Sequence, residues 1–353
     1  MSGGVDSSVA AALLKQQGYD LIGVTLNVWP EQSLVEADTR RSACCSLDAV
    51  DGARRVADLL DFPHYTLNFR EIFDRNVIRD FVSEYAAGRT PNPCVRCNRF
   101  VKFEALLDKA RSLGAEFLAT GHYARIGRSS EGRYVLGRAV DDSKDQSYAL
   151  YSLTQEQLAH TLFPLGGQTK KETRRIAAEM GLATADKPES QEICFVQDND
   201  YTGFLRARDP SVVKPGPIKD RDGHVLGSHS GIAFYTVGQR KGLGIATGKP
   251  LYVVEIVPEE NAIVVGELES VYSHGLVAGD LNWVSTAECQ EPLRVEAKIR
   301  YRATAVPATA CVVEVGRLRV EFDDPQRAVT PGQAVVLYNG DDVVVGGTIL
   351  RRH

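Results

Sequence analysis

The first part of the chain repeats one pattern: an apolar stripe at helical spacing, a glycine stop, then a short apolar run. Ser7–Gln17 reads as a helix stopped by Gly18, and Leu21–Val28 (LIGVTLNV) as a strand. Leu47–Leu60 places Ala49, Val50, Ala53, Val56, Ala57 and Leu60 at i, i+3, i+4 spacing, which predicts an amphipathic helix. His64–Phe69 reads as a strand, Glu71–Ala86 as a helix ended by Gly88, and Phe100–Leu113 as a helix stopped by Gly114. Phe117–Thr120 is a short buried strand, and Lys170–Met180 a helix stopped by Gly181. Alternation of this kind predicts an α/β architecture with a parallel, doubly wound sheet.

The pattern changes near residue 200. Lys214–Pro250 is rich in Gly, Pro and His and has few helical patterns. From Leu251 onward the period falls to two, in LYVVEIV, AIVVGEL, RVEAKIRY, ACVVEVG, LRVEFD, QAVVLY and VVVGGTIL, with turn residues such as Asp323-Asp324-Pro325 and Asn339-Gly340-Asp341-Asp342 between them. Short alternating strands at this spacing predict a small all-β barrel or sandwich. The expected division is 1–200, a small central domain 201–275, and a β domain 276–353.

The 353 residues are 43% hydrophobic and 25% charged, the balance of a globular protein, and disorder or a disulfide scaffold is excluded. No apolar run reaches the roughly 18–20 residues that span a bilayer. The chain opens without a basic and apolar leader, so a cytoplasmic location and no membrane partner are expected. Seven cysteines, two of them in a CxxC, point to reactive thiols or a metal site. The net charge of −5 argues weakly against nucleic acid.

Ser2-Gly3-Gly4-Val5-Asp6-Ser7-Ser8 stands directly before a predicted helix. Two glycines let the backbone turn tightly and bring N–H groups close to a ligand, and the helix N-terminus adds unpaired donors and a positive dipole end. The stretch suits a phosphate or pyrophosphate, with Asp6 as a Mg²⁺ ligand between phosphates. It also reads as a plain glycine turn before a serine-capped helix. The string SGGxDS resembles the pyrophosphate loop of the N-type ATP pyrophosphatases, which adenylate their substrates. No Gly-Lys-Ser/Thr follows, so it is not a Walker A loop. In that class the loop follows a buried strand. Here only residue 1 precedes it, so that strand is expected to be missing from the sheet.

The second informative stretch runs from Arg89 to Phe103 (RTPNPCVRCNRFVKF). Two prolines hold the loop extended, and a helix is expected to begin just after Cys97. A thiol at a helix start between Arg96 and Arg99 is in a setting that favours the thiolate. Half of a zinc site is the other reading, but no second CxxC and no HxxxH accompanies it. Cys194, in PESQEICF, reads by itself as a buried core cysteine, and Cys44, Cys45, Cys289 and Cys311 as core or near-surface residues.

Taken in order, the phosphate loop, PNPCxxCNxxxKF, TGHYAR, KDQSYxL, SQEICF and GQRKGLGI closely resemble the tRNA-specific 2-thiouridylases over essentially the whole chain. The resemblance implies a Rossmann-like catalytic domain, a small central domain and a C-terminal β-barrel. It implies that Met1, Ser2, Gly3, Gly4, Val5, Asp6, Ser7, Leu26 and Gly121 bind ATP. Cys97 matches the nucleophile and Cys194 the cysteine that carries a persulfide. Asn92, Pro93 and Cys94 match positions at the target base. His122, Lys144, Asp145, Gln146, Arg300, Tyr301 and Gln333 match tRNA-contacting positions. The implied reaction is 2-thiolation of a wobble uridine: AMP is placed on the C2 oxygen with release of pyrophosphate, and sulfur then arrives from the persulfide, leaving a Cys97–Cys194 disulfide. The implied partners are a tRNA with a wobble uridine and a sulfur donor, either a cysteine desulfurase or a sulfur-relay carrier, with ATP and Mg²⁺ required. Many members have Asp where this chain has Cys94. Cys94, Cys97 and Cys194 together offer ligands for an iron–sulfur cluster, which keeps a cluster-dependent thiolation open beside the persulfide route. Other adenylating enzymes, such as an amidotransferase-type synthetase, have no need of the cysteine pair. A non-catalytic RNA-binding or thiol-redox protein has no need of the phosphate loop.

Two further readings concern RNA. Gly238-Gln239-Arg240-Lys241-Gly242-Leu243-Gly244-Ile245 sets two cations among three glycines and reads as a mobile basic loop that closes over RNA, or as a solvated loop. Between Tyr201 and Pro250 there are eight Lys/Arg and three Asp, whereas Leu251–Tyr272 holds five Glu and no cation, so the acidic surplus is expected to be segregated from the basic stretch. His122 is expected at a strand end on the carboxyl side of the sheet. Arg300-Tyr301-Arg302 is expected on a strand, where Tyr301 stacks on a base and the arginines meet phosphates.

Overall fold

A computed structural model describes residues 1–28, 47–185, 193–246 and 248–353. Cys44, Cys45 and the Pro188–Glu192 part of the PESQEICF motif lie outside the described residues. The chain forms two compact units, one made of residues 1–77, 94–199 and 341–343, the other of residues 78–93, 200–340 and 344–353.

The first unit is α/β. Strands Gly23–Asn27 and His64–Asn68 pair in parallel, with Gly23 opposite His64 and Leu26 opposite Leu67. A second parallel pair joins Leu118–Ala119 to Thr161–Leu162. Helix Val5–Gln16 packs on helix Lys170–Glu179. Val5, Val9, Ala12, Val56, Tyr123, Leu165, Ala177 and Leu182 fill the space around them. The helix over Leu47–Leu59 buries Ala49, Ala53, Val56 and Ala57, the apolar stripe that its sequence shows. An antiparallel hairpin, Arg125–Arg128 with Tyr134–Gly137, joins this unit. Its first residue, Arg125, pairs with Asp341 at 2.6 Å.

Two helices depart from the expected form. The predicted Glu71–Ala86 helix is an α-turn Arg70–Phe73, a π-helical turn Asp74–Ile78 and an α-helix Arg79–Ala86. The predicted Phe100–Leu113 helix starts earlier, as Pro93–Arg96, continues as a ten-residue π-helix Cys97–Leu106, and closes as Leu107–Ser112. Proline is tolerated in the first helical turn because its missing N–H would have no intrahelical partner there. Apolar spacing near 3.6 does not separate a π-helix from an α-helix, and π-turns are rare and concentrate at functional sites.

In the second unit, strands Val225–His229, Gly216–Lys219, Ala262–Gly266 and Tyr252–Val257 form a four-stranded sheet in that order. Strands Tyr272–Trp283, Arg317–Arg327, Val306–Glu314, Leu293–Lys298, Ala334–Asn339 and Asp342–Arg352 follow one another around a six-stranded barrel, closed by pairing of the first with the last. Its interior holds Leu276, Ala297, Ala308, Ala310, Val320, Val335, Leu337 and Ile349, the inward positions of the period-two pattern. The strand Tyr272–Trp283 runs through residue 275 without a break. The Gly- and Pro-rich Lys214–Pro250 stretch is more ordered than its composition implies, since it carries strands Gly216–Lys219 and Val225–His229.

The expected segregation of charge is not what the fold delivers. Strand Gly216–Lys219 pairs in parallel with Ala262–Gly266, which brings basic and acidic segments side by side. Lys219 meets Glu260 at 2.7 Å, and Lys249 meets Glu267 at 2.8 Å.

Candidate active site

The glycine loop is built around the N-terminus of helix Val5–Gln16. Gly4 is its N-cap, and no side chain caps the helix. The first-turn amides therefore keep their donors for a ligand. Gly3 adopts φ +65°, and a Cβ there would stand 2.2 Å from the Ala49 carbonyl oxygen, so only glycine fits. The Ser2 amide donates to Ser7 Oγ at 3.1 Å, and Ser8 Oγ donates to the Gly4 carbonyl at 2.9 Å. The Met1 amine donates to the Val24 carbonyl, and Thr25 Oγ1 donates to the Met1 carbonyl at 2.8 Å, so Met1 runs beside strand Gly23–Asn27. Val5 is buried in the core and offers a ligand only its backbone. Leu26 is half-buried on that same strand. Gly121 lies against the loop: a Cβ on it would meet the Asp6 carbonyl carbon at 2.6 Å and the Ser7 nitrogen at 2.7 Å.

Asp6 is the most heavily engaged residue of the loop. Lys170 Nζ donates to Oδ1 at 2.6 Å and to Oδ2 at 2.8 Å. Tyr123 Oη, two residues after Gly121, lies 2.8 Å from Asp6 Oδ1 and 2.9 Å from Thr173 Oγ1. Lys170 is buried and stands at the first position of its helix, set there by a capping box between Thr169 and Glu172. Its amide donates to Asp141 Oδ2 at 2.9 Å. That bond, with those from Ser143, holds the Asp141 carboxyl below the usual carboxylate range. No local signal in the sequence marks Lys170, Tyr123 or Asp141 as site residues. The Thr-Lys-Lys-Glu capping signal marks the helix start, but nothing local shows that Lys170 faces Asp6, 164 positions away.

The cysteine segment corrects one expectation. Cys97 does not open a helix; the helix starts at Pro93, and Cys94 stands at its second position, exposed, with Cys97 half-buried one turn on. The Arg96 guanidinium lies 4.4 Å and that of Arg99 4.9 Å from the centre of the Phe100 ring. The Arg70–Phe73 turn packs on the Cys97–Leu106 helix, and Phe73 meets Phe195 edge-on at 5.7 Å. The Cys97 and Cys194 segments thus share one neighbour. Among the described residues, the only three potential metal ligands within 4.8 Å of one another are Asp220, Asp222 and His224, so the three thiols are not gathered as a zinc set.

His122 lies three residues beyond strand Leu118–Ala119, between Phe103 and Phe163, each ring centre 5.9 Å away. Thr120 Oγ1 is 2.7 Å from its Nδ1, and Lys102 Nζ is 3.3 Å from its Nε2. Lys102 also donates to Asn98 Oδ1 at 2.9 Å, which ties His122 to the cysteine helix. Burial, seconded by the Lys102 ammonium, holds His122 well below the ordinary histidine range. The neutral ring accepts from Lys102 at Nε2 and carries its proton on Nδ1.

Asp145 and Gln146 spend their side chains inside the protein. Asp145, buried, accepts from the Ala139 and Ser147 amides and from Ser147 Oγ. Gln146 Oε1 accepts from the Tyr123 amide at 2.9 Å. Lys144 stands in the preceding turn, half-buried.

In the second unit, Gln333 Nε2 donates to the carbonyls of Thr90 and Pro91 at 3.0 Å, fixing the chain that leads into Asn92 and Pro93, which are half-buried and buried. Arg300, Tyr301 and Arg302 lie in a turn after strand Leu293–Lys298, not on the strand. Arg300 donates to the Arg327 carbonyl at 3.0 Å, and Tyr301 is exposed with Lys298 Nζ 5.9 Å from its ring centre.

Residues 1–198 match the family model described as a tRNA methyl transferase HUP domain, 204–267 the tRNA methyl transferase PRC-barrel domain, and 273–349 the aminomethyltransferase beta-barrel domain. A tRNA-specific 2-thiouridylase MnmA of Heliobacterium modesticaldum is 58% identical over 99% of this chain and 91% of its own length. The chain belongs to the tRNA-specific 2-thiouridylase family. Relatives of the same name from Moorella thermoacetica and Desulforamulus reducens are 57% and 56% identical over 99% of this chain, and 98% and 95% of their own lengths. Among the described residues no helix is long and apolar enough to cross a membrane.

Proposed function

We propose that this protein is an ATP-dependent tRNA-uridine 2-sulfurtransferase acting on the wobble base, in the cytoplasm. The observation that carries the reading is the uncapped helix start at Gly4, walled by Gly121 and Lys170, in the same unit as Cys97 and Cys194. Such a start takes the phosphates of ATP on backbone amides. The uridine O2 attacks the α-phosphorus, the bond to pyrophosphate breaks, and C2 carries AMP as a leaving group. The outer sulfur of a Cys194 persulfide then attacks C2, the C2–O bond breaks, and AMP departs. The Cys97 thiolate attacks the inner sulfur, which forms the Cys97–Cys194 disulfide and leaves sulfur on C2. An external dithiol reduces the disulfide.

Lys170 donates to both Asp6 oxygens and Tyr123 to Oδ1 alone, so Asp6 would bind Mg²⁺ only by giving up part of this network. The fixed positive charge beside the loop is Lys170. A cluster-dependent route keeps one supporting feature: Cys94 and Cys97 stand three apart on a continuous helix and so share a face.

The test is thiolation of a tRNA with a wobble uridine, with pyrophosphate release as a second readout. Release should need both ATP and tRNA, and Cys97→Ser and Cys194→Ser should abolish sulfur transfer. Retained thiolation in both variants rejects the persulfide–disulfide route.

A further inference from the structure

The Gly238–Ile245 loop is held at its base. The Gly238 amide donates to the Val253 carbonyl at 2.8 Å, and the Val253 amide to the Gln239 carbonyl at 2.9 Å. A Cβ on Gly238, at φ +89°, would strike Ala328 Cβ at 2.6 Å. Gln239 then braces the loop from within: its Oε1 accepts from the Thr236 amide at 3.1 Å and its Nε2 donates to the Lys241 carbonyl at 3.0 Å. Leu243 is buried. These contacts present Arg240 and Lys241 from an ordered frame, where the sequence suggests a mobile one.

Both cations are exposed, and among the described residues neither has a carboxylate at ion-pair distance. Other cations of the same segment, Lys219 and Lys249, are neutralised by Glu260 and Glu267. Arg206 joins the first two. It is exposed and lies 4.7 Å over the Phe234 ring, next to Tyr235, whose hydroxyl donates to the Gly242 carbonyl at 3.5 Å. The same frame grips the target-base loop: Thr90 Oγ1 donates to Thr236 Oγ1 at 3.2 Å, two residues before Asn92.

We propose that Arg240 and Lys241, with Arg206, form a fixed clamp for RNA backbone phosphates beside the Thr90–Asn92 loop. The proposal rests on the tRNA reading above and names residues that bind the RNA. Arg240 and Lys241, uncompensated on a pre-ordered loop, lose little entropy on binding and release counterions from the phosphates they meet; Arg206, on helix Tyr201–Arg208, adds a third exposed cation. Contacts of this kind position the RNA without reading its sequence.

The experiment is tRNA affinity by fluorescence anisotropy across a salt series, for the wild type, Arg240→Ala/Lys241→Ala, Arg206→Ala, and Lys219→Ala as a paired-cation control. Each lost phosphate contact lowers the log–log salt slope by about 0.7–0.9. The double variant should lose about 1.5 from the slope, Arg206→Ala about 0.8, and Lys219→Ala nothing. The Tm should stay unchanged in Arg240→Ala/Lys241→Ala, whose side chains are exposed. A double variant with the wild-type slope overturns the clamp. A wild type whose tRNA affinity ignores salt overturns the tRNA reading itself, a separate result.

Discussion

Gly121→Ala is the most direct probe of the nucleotide loop. The added methyl would sit 2.6 Å from the Asp6 carbonyl carbon and 2.7 Å from the Ser7 nitrogen. That is about 0.8 Å inside the 3.4 Å of ordinary contact, and the obstructing atoms are backbone, which has no rotamer to move. Overpacking of this kind costs about 1–3 kcal/mol. For a domain of this size the Tm should fall by about 3–10 °C. The displaced atoms open the first helical turn, so the phosphate amides move with them. Losing one charge-assisted hydrogen bond costs about 1.5–3 kcal/mol, or a 10- to 150-fold weaker Kd for ATP. At ATP a hundredfold above the wild-type Kd, ligand stabilisation is about 2.7 kcal/mol; in the variant it should fall to about 1.4 kcal/mol or less. Differential scanning fluorimetry with and without ATP reads both quantities. Gly167→Ala is the control, since a Cβ there has nothing within 4 Å and should cost under about 0.5 kcal/mol. A destabilised Gly121→Ala that keeps the full ATP increment refutes the placement of ATP on this loop. A variant as stable as the wild type refutes the packing argument.

The neighbouring residues give four more expectations. Lys170→Met leaves the Asp6 carboxylate facing the loop with only Tyr123 as a donor, so KM for ATP should rise at least about tenfold, with partial recovery in Lys170→Arg; an unchanged KM assigns Lys170 to folding alone. His122 is depressed in the folded state, so its contribution is complete above the unfolded value near 6.5 and is lost as pH falls below it. Urea midpoints at pH 7.5 and 5.5 should therefore drop further for the wild type than for His122→Gln, and parallel drops would contradict the desolvated neutral ring. Cys94→Ala separates the two sulfur routes: full thiolation without bound iron fits the persulfide, whereas loss of both iron and activity after anaerobic purification fits the cluster. Gln333→Ala removes both donors to the Thr90 and Pro91 carbonyls and should cost about 1–3 kcal/mol of stability while raising KM for tRNA; an unchanged KM would show that the loop holds its form without Gln333.

Much of the fold is legible in local pattern, because burial repeats with the period of each element. The glycine stops and the Ala49–Ala57 stripe mark the helices, and period-two runs mark the barrel strands. The phosphate loop is equally local, since turn, glycines and helix start are adjacent in the chain. What escapes a local reading is contact across long separations. The Lys170–Asp6 pair and the Gln333–Thr90 bond span 164 and 243 positions. The π-helix escapes for another reason. Its hydrophobic spacing stays close to the α-helical one, yet five-residue hydrogen bonding rotates each later side chain, and with it the approach of Lys102 to Asn98 and His122.

The same distinction decides what charge can say. A net −5 is a sum over pairs that the fold neutralises and groups that it leaves exposed, and only the second kind meets a polyanion. The fold cancels Lys219 and Lys249 against Glu260 and Glu267, which follow them in sequence. Arg240 and Lys241 escape cancellation: their loop is held to Val253 by backbone hydrogen bonds, with no carboxylate at ion-pair distance among the described residues. An acidic chain can therefore carry an RNA-binding surface, provided its cations stand where the topology supplies no acid, and the loop beside Thr90 is such a place.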